Sequence, residues 1–294
     1  MTRRPVVPAP VLVLGGVVSV QFGAALASSL VREIGVGPSL LMRVGIAAVL
    51  LLAVARPSVR GRTREAWITV TAFGVVLGLM NWAFYSSLAH LPLSVAVTIE
   101  FLGPLVLTTV LSRRVIDLLA VVAAGVGVLL ISEALQVPLD ELSWVGMLLA
   151  ATAGVLWAAY IVLSGRTGAA FSQLDGLAIA LVFSTVVVLP AGLHGGFNPT
   201  TEQWLKGLGL AVLSSLLPYS LELLALRRLS ARVFGILLSL EPAVAALAGF
   251  LVLDQRLSTP QAVGIALVTL ASALVLGGGR QRQEPDEPGR IEAA

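Results

Sequence analysis

The sequence predicts an all-α polytopic membrane protein: ten transmembrane helices arranged as two inverted five-helix repeats, with both termini in the cytoplasm. Three observations predict it. Of the 294 residues, 57% are hydrophobic and only 12% are charged, against about 25% charged in a soluble domain. The apolar residues gather into runs of about 20, the length a helix needs to cross hydrocarbon. The arginines concentrate in alternate connections between those runs, and the pattern of the first half recurs in the second.

The runs fall at 10–30, 38–55, 66–88, 93–111, 116–133, 142–164, 174–192, 204–226, 232–252 and 260–278. Only helices and closed barrels satisfy all backbone groups in lipid, and these runs are too long and too continuously apolar for barrel strands. The first holds Ser19 and Gln21, and lacks a small-residue cleavage site followed by a polar start, so it reads as a retained helix rather than a signal peptide. The second carries Arg43. The third carries Gly74 and Gly78, which allow close helix approach, then Asn81 and Tyr85. Glu100 and Pro104 lie in the fourth, Gly125 and Gly127 in the fifth, and Trp157 and Tyr160 in the sixth. The eighth holds Pro218, Tyr219 and Glu222, and the ninth Glu241 and Pro242; the seventh and tenth supply no candidate. Residues 279–294 are charged and contain proline, which predicts a disordered cytoplasmic tail.

Orientation follows from the basic residues. With the N-terminus inside, the cytoplasmic segments hold Arg3, Arg4, Arg56, Arg60, Arg62, Arg64, Arg113, Arg114, Arg166, Arg227, Arg228, Arg232, Arg280, Arg282 and Arg290. The outer ones hold only Arg32, Lys206 and Arg256. Positive charge is retained on the cytoplasmic side. The same rule explains the net charge of +3 without invoking nucleic acid.

Shifting the second half back by 138 residues lays Leu229-Ser230-Ala231-Arg232-Val233 on Leu91-Pro92-Leu93-Ser94-Val95, and Glu241-Pro242 on Gly103-Pro104. The two repeats are placed at 10–133 and 142–278. Each has an odd number of helices, so they must be inverted relative to each other, an arrangement that places binding sites between the halves at mid-depth.

Three glutamates inside apolar runs are the main candidates, because an ionised carboxylate in hydrocarbon costs on the order of 3 kcal/mol or more. Glu241 is placed roughly 13 Å from the cytoplasmic face by a rise of 1.5 Å per residue. Pro242 has no N–H, which leaves the Leu238 carbonyl without its helical partner. A carboxylate beside a broken helix suits a ligand or a proton, although it also serves as packing glue between helices. Glu100 is placed roughly 10 Å below the outer face, and Pro104 frees its carbonyl. Arg43 lies at a similar depth, so an ion pair with Glu100 is expected, serving either as a structural lock or as an outer gate. Glu222 follows Pro218, which frees the Ser214 carbonyl, so that Tyr219, Ser220 and Glu222 surround a broken turn. Alternatively Glu222 snorkels to Arg227 or Arg228. Gln21, Asn81, Trp157 and Tyr160 form a polar or amphipathic set that serves either as interhelical glue or as a site lining. Trp157 or Tyr160 offers a ring face to a substrate ammonium. Pro104, Pro218 and Pro242 are the expected hinges.

Several functions are excluded. There is no cysteine, so disulfides, thiolate metal sites and cysteine nucleophiles are absent. The only two histidines, His90 and His194, fall at loop positions, and no HExxH, GxSxG or Walker loop occurs. An enzyme is not expected, nor a metal or cofactor.

The motifs resemble those of the threonine/homoserine exporters, members of the drug/metabolite transporter superfamily with two EamA-type repeats. The likeness rests on Gln21-Phe22-Gly23-Ala24, Met42-Arg43, Gly78-Leu79-Met80-Asn81-Trp82 with Phe84-Tyr85, Glu100-Phe101 with Gly103-Pro104, and Ser112-Arg113-Arg114. In the second half it rests on Trp157-Ala158 with Tyr160-Ile161, Leu217-Pro218-Tyr219-Ser220-Leu221-Glu222, Phe234-Gly235 and Ser239-Leu240-Glu241-Pro242-Ala243. The resemblance covers roughly residues 15–276. It implies export of small amino acids from the cytoplasm across a bacterial inner membrane, driven by the proton gradient. The expected partners are the lipid bilayer, a small amino-acid substrate and protons, with the chain a monomer or homodimer. A drug or other metabolite exporter on the same fold is one alternative. A non-transporting membrane scaffold or sensor is another, disfavoured by the lack of an output domain.

Overall fold

The fold is given by a computed structural model that describes residues 7–91, 93–112, 114–132, 134–138, 142–194, 196–244 and 258–280. Those residues form helices α1 (Ala9–Ile34), α2 (Val36–Ala55), α3 (Arg64–Ser87), α4 (Leu93–Leu111), α5 (Val115–Ser132), α6 (Trp144–Ala170) and α7 (Asp175–Leu193). Next come α8 (Thr201–Leu226), α9 (Ala231–Leu238) and α10 (Thr259–Arg280). No strand occurs among the described residues.

Helices α2, α3, α5, α6, α7 and α8 are long and apolar enough to cross a membrane. Helices α1, α4 and α10 contain shorter apolar stretches, Ala9–Gly23, Val95–Leu111 and Thr259–Leu274. The predicted ninth span is seen through residue 244, and its remainder lies outside the described residues.

Most helix ends fall where the apolar runs end. The main exception is α6, which continues to Ala170 rather than 164. Its extra residues include buried Thr167 and Gly168, packed beside Arg227 and Gly176, so tertiary contact keeps a polar turn helical. Helix α10 likewise carries on through Arg280, past the predicted start of the tail at 279; residues 281–294 lie outside the described residues.

Caps mark the starts. Thr63 accepts from the Ala66 amide, Ser143 from Gly146 and Ser230 from Val233, while Thr200 and Gln203 form a reciprocal capping box. A single residue, Gly35, joins α1 to α2 at φ 83°, a conformation that favours glycine.

Packing follows the small residues. Helix α2 lies on α7, α3 on α6 and α7, and α8 on α1 and α2. Helix α4 packs on α5 and α6, and α5 pairs with α10. Lipid tails are as apolar as leucine, so close backbone approach rather than hydrophobicity holds such helices together. Gly74 and Gly78 form a G-x-x-x-G face on α3 that meets α7. A Cβ on Gly78 would stand 2.9 Å from Val187 Cβ and 3.1 Å from the Ser184 carbonyl oxygen. Gly78→Leu is therefore expected to destabilise the protein by about 1–3 kcal/mol through overpacking. A lowered thermal midpoint in detergent checks this, and an unchanged midpoint would show that the crossing tolerates bulk.

Candidate functional site

The site is built around a distorted turn of α8. Residues Val212–Leu216 form a π-helical turn, in which the Leu217 amide reaches back to the Val212 carbonyl. The Leu213 carbonyl thereby loses its α-helical donor. Pro218, lacking an N–H, removes the donor for Ser214 as well. Buried carbonyls need partners, and both find them: Ser19 Oγ donates to the Leu213 carbonyl at 2.7 Å, and Arg43 Nη2 to the Ser214 carbonyl at 2.6 Å. Gly23 on α1 makes room, because a Cβ there would run into the Ser214 hydroxyl.

Arg43 is buried at the centre of this region. Its Nε donates to Ser215 Oγ at 2.9 Å, Nη1 to the Tyr85 hydroxyl at 3.0 Å, and Nη2 also to the Tyr219 hydroxyl at 3.1 Å. Both tyrosine rings lie 5.8 Å from the guanidinium carbon. The network continues through Asn81, whose Nδ2 donates to the Tyr219 hydroxyl at 3.0 Å and to the Leu77 carbonyl at 2.8 Å. The Tyr160 ring packs against Tyr219 with centroids 5.7 Å apart, and its hydroxyl donates to Glu222 Oε2 at 2.7 Å. Helices α2, α3, α6 and α8 thus each contribute a polar side chain to one core.

Two sequence expectations are corrected. Arg43 makes no ion pair with Glu100 among the described residues: α2 packs on α7, α8 and α3 rather than on α4, and hydroxyls and a freed carbonyl take the guanidinium's donors. Nor does Glu222 snorkel to the surface. It is buried on the Tyr160 hydroxyl, while Arg227 donates to the Phe171 carbonyl and Arg228 to that of Val7.

The other candidates surround this core. Glu100 and Glu241 are half-buried and make no hydrogen bond among the described residues. All three glutamates are within electrostatic reach of Arg43, and Glu241 also of Glu100 and Glu222. Glu241 follows a break in the helix: α9 ends at Leu238, Ser239 forms a turn, and helical residues 240–244 follow. The Glu100 carbonyl lies against Gly154 of α6, where a Cβ would approach to 2.8 Å. Trp157 meets Phe101 edge-on at 4.8 Å between centroids and joins no hydrogen bond of the network. Gln21 is half-buried and likewise unbonded among the described residues.

Ser215 and the π-turn carry the contacts that sequence reading missed. The signal for the turn was the serine pair one helical turn before Pro218; nothing in the residue order showed that Ser215 would face Arg43.

Comparisons with known proteins agree with this fold. The model of the EamA-like transporter family matches residues 144–277. The threonine/homoserine exporter RhtA of Escherichia coli (strain K12) is 35% identical over 279 residues, covering 92% of each chain. RhtA of Salmonella typhimurium (strain LT2) is 36% identical over 279 residues at the same coverage. Protein PecM of Dickeya dadantii is 31% identical over 214 residues, 69% of each chain. A solved crystal structure with 18% identity superposes with a TM-score of 0.73 over 94% of this chain and 99% of its own, a likeness of fold alone. With its apolar helices and buried polar core, the chain is a multi-pass membrane protein that belongs to the family of the threonine/homoserine exporter RhtA, among the EamA-like transporters.

Proposed function

We propose that the chain is a proton-gradient-driven exporter of small amino acids of the threonine/homoserine type, working in a bacterial inner membrane. It uses ten spans in two inverted repeats, 10–133 and 142–278, with both termini cytoplasmic.

The observation that carries this reading is the charge balance of the buried core. One guanidinium, Arg43, is in electrostatic reach of three carboxyls, Glu100, Glu222 and Glu241. Uncompensated charge is costly at mid-membrane. The missing positive charge is supplied by protons on the carboxyls or by the ammonium of a bound amino acid, while Arg43 and the hydroxyls around it suit a substrate carboxylate. Burial in general favours the neutral form of a carboxyl, which is what a proton carrier needs. Glu241 and Glu100 have no hydrogen-bond partner among the described residues and are only half-buried, so they are the acids available for this exchange. Tyr219 and Asn81 hold Arg43 in place, and Tyr160 holds Glu222. Trp157, Tyr160 and Gln21 border the substrate space.

The inverted-repeat reading is supported by two features. Asn81 and Tyr219 are separated by 138 residues, the repeat offset, and bond each other, as equivalent residues do at a pseudo-twofold axis. The packing also exchanges between halves: α3 on α6 and α7 corresponds to α8 on α1 and α2. Alternating access then rocks one repeat against the other, with the helix segments around Pro104, Pro218 and Pro242 absorbing the change.

The test is efflux of a labelled amino-acid panel from loaded vesicles, with and without a pH gradient. Threonine and homoserine are expected to leave fastest, and faster with the gradient. A panel in which no amino acid moves but lipophilic drugs do would favour the drug-exporter reading. No flux of either, with the protein folded, would favour a scaffold.

A further inference from the structure

We infer that a cavity at the outer ends of α2, α3 and α7 is the release vestibule for the exported amino acid, and that Tyr85 is the gate between it and the buried core. The inference rests on the orientation and the export activity proposed above. The cavity measures about 700 Å³, within the range of about 300–1,000 Å³ typical of small-molecule sites. Its lining includes Tyr85, Ser86, Trp82, His90 and His194. The chain's only two histidines therefore share one cavity. Tyr85 also accepts a hydrogen bond from Arg43, at 3.0 Å. A single side chain thus faces both the vestibule and the central guanidinium. A carboxylate that takes the Tyr85 hydroxyl's place on Arg43 releases Tyr85 and opens the way outward.

The opposite end carries a charged clasp at equivalent positions. Gly37 and Ala89 line the open cavity; 138 residues further on stand Asp175 and Arg227. There the turn between α6 and α7 is clasped from two sides. Arg62 pairs with Asp175 at 3.5 Å, donates to the Ala170 carbonyl at 3.1 Å and stacks 4.8 Å over the Phe171 ring. Arg227 donates to the Phe171 carbonyl. The outer half has a glycine and an alanine where the inner half has the charged clasp. An open outer mouth and a latched inner one are what alternating access requires of an outward-facing state.

The chain contains no cysteine, so single cysteines report accessibility without background. In right-side-out vesicles, Ser86→Cys is treated from outside with a membrane-impermeant cationic methanethiosulfonate. Ala89→Cys is the second variant, and Leu102→Cys, in an apolar groove beside α6, is the control. Each is read against its own efflux before reagent, using the amino acid that the panel identifies. Failure of the export reading therefore shows before any reagent is added. The expected result is that Ser86→Cys and Ala89→Cys react, that excess external amino acid slows the reaction, and that modification removes most of the efflux; Leu102→Cys shows none of this. Reaction only from the inside, reaction at an unslowed rate, or undiminished efflux after full modification would each overturn the vestibule.

Discussion

Arg43→Met is expected to abolish export and to destabilise the protein by about 3–5 kcal/mol, the cost of leaving buried charges without their partner. The side chain makes four hydrogen bonds, to Ser215, Tyr85, the Ser214 carbonyl and Tyr219. Removing it takes the guanidinium donor from the Ser214 carbonyl, whose α-helical donor position is occupied by Pro218, and takes from Glu100, Glu222 and Glu241 the cation in their reach among the described residues. Arg43→Lys separates the two roles. A lysine keeps the charge, but its compact ammonium cannot span four acceptors as a planar guanidinium does. That variant is expected to stay folded while its efflux falls about tenfold, equivalent to about 1.4 kcal/mol. Thermal unfolding in detergent and efflux from proteoliposomes check the pair. Wild-type export by Arg43→Met would remove the guanidinium from the mechanism.

Much of this arrangement was legible in the residue order. Where the apolar runs are described they are helical, because a spanning segment has no other way to satisfy its backbone. The prediction that Pro218 frees the Ser214 carbonyl led to the observed partner, since a buried carbonyl must be met by something. The partner itself was not legible. Depth alone paired Arg43 with Glu100, but depth does not say which helices are neighbours. The glycines decide that, by letting α3 approach α7 at Gly74 and Gly78, and α4 approach α6 at Gly103 and Gly154. The fate of Glu222 was open for the same reason. Arg227 and Arg228 stand close to it in the chain, yet it turns inward because Tyr160 from α6 offers a hydroxyl. The 138-residue offset was readable from Gly103-Pro104 and Glu241-Pro242, yet the contact between Asn81 and Tyr219 emerges only when the halves are placed face to face.

Glu241 carries the central claim, that acids beside broken helices at the meeting of the two halves exchange protons for substrate. It follows the turn at Ser239, keeps part of its surface open, and is in reach of Arg43, Glu100 and Glu222. Glutamine has nearly the same shape and removes only the titratable charge. A carboxyl that acts merely as interhelical glue is replaced by an amide at little cost, whereas a proton carrier is not replaced at all.

The most direct measurement is threonine efflux from proteoliposomes containing Glu241→Gln, followed across a series of pH values and compared with wild type at matched thermal stability. The account predicts that the wild-type rate varies with pH and that the variant's residual rate does not. A variant that keeps both the rate and the pH profile of the wild type would contradict it.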